Sequence, residues 1–329
     1  MKTPVPNRGF FLDMNFDVTI LGTGSAIPTK DRFLSGQVVN YDEHLFLVDC
    51  GEGTQIQLRR FKKSINRIGA IFISHLHADH YLGLPGLLSS MDLLGRVTPL
   101  TLYGPKGLDE LLEVNFRISA AKPRFAINWV YTQNKEMSLL METPKLEVYS
   151  FPLKHRVPCT GFWFKEKTSP RKFDKNLLKK YFVTPDEIVA IKGGADYTAP
   201  DGTFYTNAEI TIAPNTPRSY AYCSDTAFLP NLGELLRGTD VIYHEATFAH
   251  ELEERAKATF HSTAIQAAQV AVSAGAGKLV IGHFSSRYTD AEVLAEEART
   301  VFPNTEKAVE GLVVEVIYST SLRAPLRSG

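Results

Sequence analysis

Apolar residues recur along the chain in short runs, each closed by glycine, proline or a polar cluster. Phe16-Asp-Val-Thr-Ile-Leu21 alternates as a strand and stops at Gly22-Thr-Gly24. Residues 37–41 and 44–49 flank a turn at Asp42-Glu43, which predicts a hairpin broken by Cys50-Gly-Glu-Gly53. Residues 54–60 predict a helix, and Ile71-Phe-Ile73 a short strand. Residues 84–94 predict a helix laid on the sheet. Residues 100–103 predict a strand that Gly104-Pro105 turns into a helix over about 107–116. Residues 146–151 alternate as a strand. Three more strands are predicted at 219–224, 241–243 and 278–282, with helices over 231–237 and from 261 to about 274 between them. Thr263 and Gln266 stand at capping-box spacing at the start of the second helix.

Residues 1–13 read as a loose N-terminal extension and residues 14–329 as one domain. Inside that domain, residues 165–218 are the least orderly stretch. Lys165, Lys167, Arg171, Lys172, Lys175, Lys179 and Lys180 put seven basic residues in sixteen. Residues 176–181 fit a short helix, Thr184-Pro-Asp-Glu187 opens another, and Gly193-Gly194 and Pro200-Asp-Gly202 are turns. The stretch reads as an insertion on the core, either a solvated decoration or an arm that grips a polyanion.

Composition narrows the function classes. In 329 residues, Lys+Arg and Asp+Glu both number 36, so no global basic field exists. A nucleic-acid partner would need positive charge concentrated locally. Arg59, Arg60, Lys62, Lys63 and Arg67 are one such run, readable as a solvated helix end or as a phosphate-backbone patch. Lys30 and Arg32, in the loop after Gly24, are another local source. Cys50, Cys159 and Cys223 cannot all pair, which points to a reducing compartment. No apolar run reaches the length of a membrane span, and residues 1–8 lack an apolar signal core. A cytoplasmic protein without a membrane partner is expected.

The densest chemistry follows Ile71-Phe-Ile73: Ser74-His75-Leu76-His77-Ala78-Asp79-His80. In an extended segment His75, His77 and Asp79 face one way and His80 another. That suits two neighbouring metals, with His75 and His77 on one and Asp79 and His80 on the other. Imidazole and carboxylate together suit zinc or a similar first-row ion. The bland alternative is a solvated polar turn. The H-x-H-x-D-H run resembles the signature of the metallo-β-lactamase superfamily. That resemblance implies an α/β (α+β) fold, a four-layer αββα sandwich with metal sites at one edge.

Four more polar groups each follow a predicted strand: His155, Asp225, His244-Glu245 and His283. Side chains at strand ends can converge on one edge of a sheet. The expected first site is His75, His77, His155 and Asp225, and the second is Asp79, His80, Asp225 and His283. Asp225 would bridge them. Two such divalent ions, zinc or alternatively manganese, would activate a shared water and neutralise an attacked phosphodiester.

Leu21-Gly-Thr-Gly-Ser-Ala-Ile-Pro28, Ser74 to His80, Ser224-Asp-Thr226, His244-Glu-Ala-Thr-Phe248, His261-Ser-Thr263 and His283-Phe-Ser-Ser-Arg-Tyr288 stand in an order that resembles the ribonuclease Z family. The resemblance spans residues 15–318. It implies an endoribonuclease that cuts precursor tRNA at its 3′ end and leaves a 3′ hydroxyl on the tRNA. It implies Asp79 as a metal-bound proton acceptor, and His261 supported by Glu245 as the group that protonates the leaving oxygen. It also implies a homodimer whose arm reaches substrate held by the other subunit. Substrate contacts are expected from Lys30, Arg32, Arg171, Lys172, Lys175, Lys179, Lys180 and Arg287. The family's arm carries a Gly-Pro-rich loop, which Val183-Thr-Pro-Asp-Glu-Ile188 is not. Its loop Arg is followed by Asn, where this chain has Phe33. The alternatives are a phosphodiesterase acting on small or cyclic substrates, and a non-catalytic RNA-binding module.

Overall fold

Alternate residues of each strand serve different cores, and this fixes the layering. The structure, a computed structural model, describes residues 14–173 and 180–318. One sheet begins with β1 (Phe16–Gly22), β2 (Gly36–Tyr41), β3 (His44–Cys50), β4 (Ile68–Phe72), β5 (Leu100–Gly104) and β6 (Ile127–Tyr131). A second begins with β7 (Ser138–Glu142), β8 (Leu146–Leu153) and β9 (Cys159–Glu166). The short strands β10 (Lys172–Phe173), β11 (Tyr197–Thr198), β12 (Phe204–Tyr205) and β13 (Thr211–Ile212) pair among themselves. β14 (Ser219–Cys223), β15 (Val241–Glu245), β16 (Lys278–Gly282) and β17 (Thr305–Lys307) complete the second sheet in the order β17-β16-β15-β14-β9-β8-β7. β18 (Val313–Glu315) returns to the first, giving β18-β1-β2-β3-β4-β5-β6.

Val18, Ile20, Phe46, Val48 and Phe72 of the first sheet meet Val148, Phe162, Phe164, Tyr220 and Tyr222 of the second in a central core. The intervening residues turn outward. Leu45, Leu47 and Ile71 pack under the helices Thr54–Arg60, Leu84–Leu93 and Leu108–Ser119. Ala221, Cys223, Ile242 and Ile281 pack under Ala264–Ala274 and Glu292–Val301. Helix, sheet, sheet and helix thus form the four-layer αββα sandwich expected from the His-rich signature. Period-2 alternation has this consequence because both faces of both sheets are covered.

The pattern of the sequence does not predict β6, β7, β9, β17, β18 or the helices Glu253–Thr259 and Glu292–Val301. β9 shows the reason. Phe162 and Phe164 fill the central core while Cys159 and Trp163 fill the outer one, so the strand is apolar on both faces and has no alternation to read. The helix expected over 231–237 is regular only across Leu232–Leu235.

The extended reading of the His cluster also fails in part. The backbone is extended through His77, but Ala78–Tyr81 forms a helical turn with His77 as its N-cap. Asp79 and His80 therefore take their directions from a helix and not from strand alternation. The turn rests against Gly51, where a Cβ would come within 2.4 Å of the Asp79 carbonyl oxygen.

The insertion leaves the second sheet after β9 and returns at β14. At its root Arg218 pairs with Glu166, with Nη2 to Oε1 at 2.7 Å, both side chains nearly buried. Between these ends Val183, Ile191, Tyr197, Ala199 and Ile210 make a small separate core. The helix Pro185–Lys192 starts with the Thr184–Glu187 capping box. Residues 1–13, Lys175, Lys179 and most of the helix expected over 176–181 lie outside the described residues.

Candidate metal centre and active site

β14, β15 and β16 pair in parallel, and β8 runs with them because β9 is antiparallel to both β8 and β14. Their C-terminal ends share one edge of the sandwich. His155 follows β8, Asp225 follows β14, Glu245 ends β15 and His283 follows β16. Across the central core, the parallel pair β3 and β4 delivers Asp49 and the His75–His80 segment to the same edge.

Two ligand-like groups that share Asp225 form there. In the first, His77 Nδ1 lies 3.1 Å from His75 Nε2 and 3.0 Å from His155 Nε2. Asp225 Oδ2 is 3.7 Å from His75 Nε2 and 3.8 Å from His155 Nε2. In the second, Asp225 Oδ1 is 3.3 Å from His80 Nε2 and 3.2 Å from His283 Nε2. Asp79 Oδ2 is 3.5 and 3.4 Å from the same two nitrogens. Asp225 turns one carboxylate oxygen to each group.

The proton bookkeeping fits cations. His155 Nδ1 lies 2.9 Å from the Phe260 carbonyl, which can only accept, so Nδ1 carries the proton and Nε2 presents a lone pair. His80 Nδ1 lies 2.8 Å from Asp49 Oδ2, which likewise leaves a lone pair on Nε2. That lone pair faces two carboxylates, and both His80 Nε2 and Asp225 Oδ1 are buried without a hydrogen-bond partner. Acceptor against acceptor in a dry site is unfavourable unless a positive charge stands between them. Burial lowers the basicity of His75, His77 and His155, keeping them in the neutral form that ligates metals. Burial would lower His80 too, but Asp225, Asp79 and Asp49 raise it, so this pocket demands a proton or a cation. Burial alone would raise the Asp79 carboxyl; His80 and His283 overcome that and hold it far below its ordinary range.

Beside these groups lies a saturated carboxylate. Glu245 Oε1 accepts from Thr226 N at 3.1 Å, His261 Nδ1 at 2.9 Å and Ser262 N at 3.0 Å. Its Oε2 accepts from Thr247 N at 3.0 Å and Thr247 Oγ1 at 2.8 Å. Burial opposes charge on both partners, yet His261 holds Glu245 below its ordinary value. Glu245, with help from Asp225 and Asp79, pushes His261 up to about 9. Divalent cations in the adjacent groups would oppose that rise. With Nδ1 committed to Glu245, the free nitrogen of His261 is Nε2, on a side chain still 14% exposed.

Sequence reasoning missed three supporting groups. Asp49 accepts from Ser74 N, Ser74 Oγ, His80 and the Tyr222 hydroxyl. Its signal was a lone carboxylate ending the apolar run of β3. Ala26 donates its N–H to Asp79 Oδ2 at 2.8 Å from a left-handed backbone, φ 62°. Thr247 touches Glu245, His261 and His283.

The expected substrate contacts are scattered. Lys30 is exposed in the loop after Gly24. Arg32 is engaged inside the protein: its guanidinium bonds the carbonyls of Ser285, Tyr288 and Thr289 and lies over the Phe284 ring. Arg287 is exposed over Phe248, with Nε on Ser285 Oγ. Arg171 bonds Thr211, Lys180 bonds Tyr205 and covers the Tyr181 ring, and Lys172 is exposed in β10. The arm starts at the far end of the sandwich. Thr160 N bonds Ser74 O beside the ligands, and Glu166 lies six residues further along β9, about 20 Å away at strand rise.

Comparison with known proteins adds to this geometry. The chain is 44% identical over 301 residues to a ribonuclease Z of Bacteroides fragilis, covering 92% of this chain and 99% of that protein. It is 43% identical over 308 residues to the ribonuclease Z of Bacteroides thetaiotaomicron, covering 94% and 98%. Among solved structures, the short form of human tRNase Z superposes with a TM-score of 0.66 at 26% identity, over 92% of this chain and 99% of that one. The metallo-β-lactamase fold protein YhfI of Bacillus subtilis superposes with a TM-score of 0.65 at 18% identity, over 92% and 100%, a likeness of fold. A family profile described as anti-Pycsar protein Apyc1 matches residues 16–168.

Proposed function

The chain belongs to the ribonuclease Z family, and on that premise we propose how its residues act. It is a metal-dependent endoribonuclease that processes the 3′ end of precursor tRNA. The observation that carries the detailed reading is the shared edge, where two ligand groups meet at Asp225 and the Glu245–His261 pair stands beside them. His75, His77, His155 and Asp225 would hold one divalent ion, and Asp79, His80, Asp225 and His283 a second. Zinc is the first candidate on donor chemistry and manganese the second. Bound there, such ions supply Lewis acidity towards water and the phosphodiester.

The chain's own residues complete the reaction. Asp79 takes the proton given up by the attacking water. As the phosphorus–oxygen bond to the ribose breaks, His261 Nε2 gives its proton to the departing 3′ oxygen, and the phosphate leaves with the trailer. The tRNA keeps a 3′ hydroxyl. Glu245 holds His261 in the protonated state and fixes which nitrogen faces the substrate.

Gripping belongs to the arm and the loops. Arg171, Lys172 and Lys180 among the described residues, with Lys175 and Lys179, give the arm its positive charge, and Lys30 and Arg287 face solvent nearer the edge. The arm's root at the far end of the sandwich favours a homodimer in which each arm serves the partner's site. Exposed Leu93, Leu111, Val114 and Ile118 on the outer helices, with Val97 in the loop after the first of them, support a second copy. A monomer mass by light scattering at micromolar concentration would contradict the dimer. Three free buried cysteines support a reducing, cytoplasmic setting; among the described residues no helix is long and apolar enough to cross a membrane.

One assay tests the function. Purified protein with zinc or manganese is offered precursor tRNA and a chromogenic phosphodiester side by side. Cleavage at the end of the acceptor stem, leaving a 3′ hydroxyl, is expected. Intact precursor tRNA beside a rapidly cleaved small substrate would replace this reading with a small-phosphodiester hydrolase.

A further inference from the structure

Thr247 is buried and belongs to neither ligand group, yet its hydroxyl touches more of the edge than any ligand needs. β15 and β16 pair in parallel with Glu245 opposite Gly282. Two residues past that pair on one strand and one past it on the other, Thr247 and His283 come together. Thr247 Oγ1 lies 3.0 Å from His283 Nδ1, 3.0 Å from the His283 carbonyl, 2.8 Å from Glu245 Oε2 and 3.3 Å from His261 Nδ1. His283 sits at φ 60°, a conformation that side-chain-bearing residues rarely adopt, so it needs neighbours to hold it there.

A hydroxyl has one proton to give and two lone pairs to offer. When His283 turns the Nε2 lone pair towards Asp79 and Asp225, its proton sits on Nδ1 and points to Thr247 Oγ1. The Thr247 proton then has two acceptors, Glu245 Oε2 at 2.8 Å and the His283 carbonyl at 3.0 Å, of which the carboxylate is the nearer and the charged one, and Glu245 Oε1 receives His261 Nδ1–H. The chain of bonds runs from a second-group ligand, through one hydroxyl, to the carboxylate that orients the acid. A methyl in place of that oxygen would leave the buried His283 Nδ1–H without an acceptor and Glu245 one donor short.

We propose that the Thr247 hydroxyl is a positioning group that ties the second metal position to the acid. It fixes the tautomer and ring angle of His283 while anchoring the Glu245 oxygen opposite His261. Loss of this one oxygen therefore weakens ion binding and proton delivery together. The inference rests on the two-metal and acid roles assigned above to His283, Asp79 and His261.

Thr247→Val keeps the shape and removes the hydroxyl, Thr247→Ala removes it without crowding, and Thr247→Ser restores it. Metal affinity is read by chelator competition with zinc, independently of turnover. Turnover is then read at saturating zinc on precursor tRNA and on the chromogenic phosphodiester. In T247V and T247A, the weaker-held ion should bind about 10- to 100-fold less tightly, the usual cost of losing a partner behind a metal-ligating histidine. With both sites filled, kcat on precursor tRNA should stay at least about tenfold down with KM unchanged, because proton delivery is still misaligned. Ser should recover both. Wild-type zinc affinity in T247V and T247A would overturn the proposal, as would full kcat once zinc saturates. If the wild type leaves precursor tRNA intact, the tRNA reading fails alone, and zinc affinity with turnover of the small substrate still decides the role of Thr247.

Discussion

The metal edge and the arm are built on opposite plans. At the edge four working side chains each have a neighbour that fixes them: Asp49 behind His80, Phe260 behind His155, Ala26 behind Asp79, Glu245 behind His261. In the arm five residues make a small core of their own, and Arg171, Lys172 and Lys180, the described cations, are not among them. Chemistry needs atoms held within fractions of an ångström, so it is placed where strands end in a packed sandwich. Charge contacts to a polyanion tolerate looseness, so a lightly packed insertion would suffice for the grip proposed for it. The two regions should therefore fail differently when damaged.

The largest effect should follow Asp225→Ala. Its two oxygens face different ligand groups, so both ions should be lost and activity abolished. Metal content by elemental analysis checks this, and two tightly held ions in the variant would refute the shared role. Next comes His261→Ala, which removes no ligand. Metal content should hold while turnover on precursor tRNA falls on the order of a hundredfold or more, as for a lost general acid. Near-normal turnover would take His261 out of the mechanism.

Glu245→Gln should act through pH. The carboxylate raises the basicity of His261, and an acid works only while protonated, so turnover falls as pH rises through its pKa. Removing the negative charge lowers that pKa, and the alkaline limb of kcat should move to lower pH. An unmoved limb would mean that another group donates the proton.

The smallest effect on chemistry should come from the arm. Replacing Arg171, Lys172, Lys175, Lys179 and Lys180 with Ala should raise KM for precursor tRNA and flatten its salt dependence, with turnover of a small phosphodiester near wild type. An unchanged KM and salt slope would make the arm a decoration and break the comparison.

The same contrast explains what could be read from residues alone. His75, His77, Asp79 and His80 are legible because few sequences place four ligand-type residues in six positions, and His155, Asp225 and His283 because each follows an apolar run. The helical turn carrying Asp79 was not legible, since it depends on Gly51 lying underneath. Nor were Asp49 and Thr247, whose roles exist only once both sheets are closed. β9 was hidden because burial on both faces erases alternation. In the loop, the charge of Arg32 suggested a phosphate contact, while the fold turns it onto three carbonyls. A cation's partner is a matter of geometry, and sequence supplies only its charge.

The shared role of Asp225 is the central claim, and anomalous scattering from crystals grown with zinc tests it most directly. Two peaks are predicted, one among His75, His77, His155 and Asp225 Oδ2, the other among Asp79, His80, His283 and Asp225 Oδ1. A single peak, or a peak among Glu245, His261 and His283, the third group close enough to hold an ion, would contradict the account.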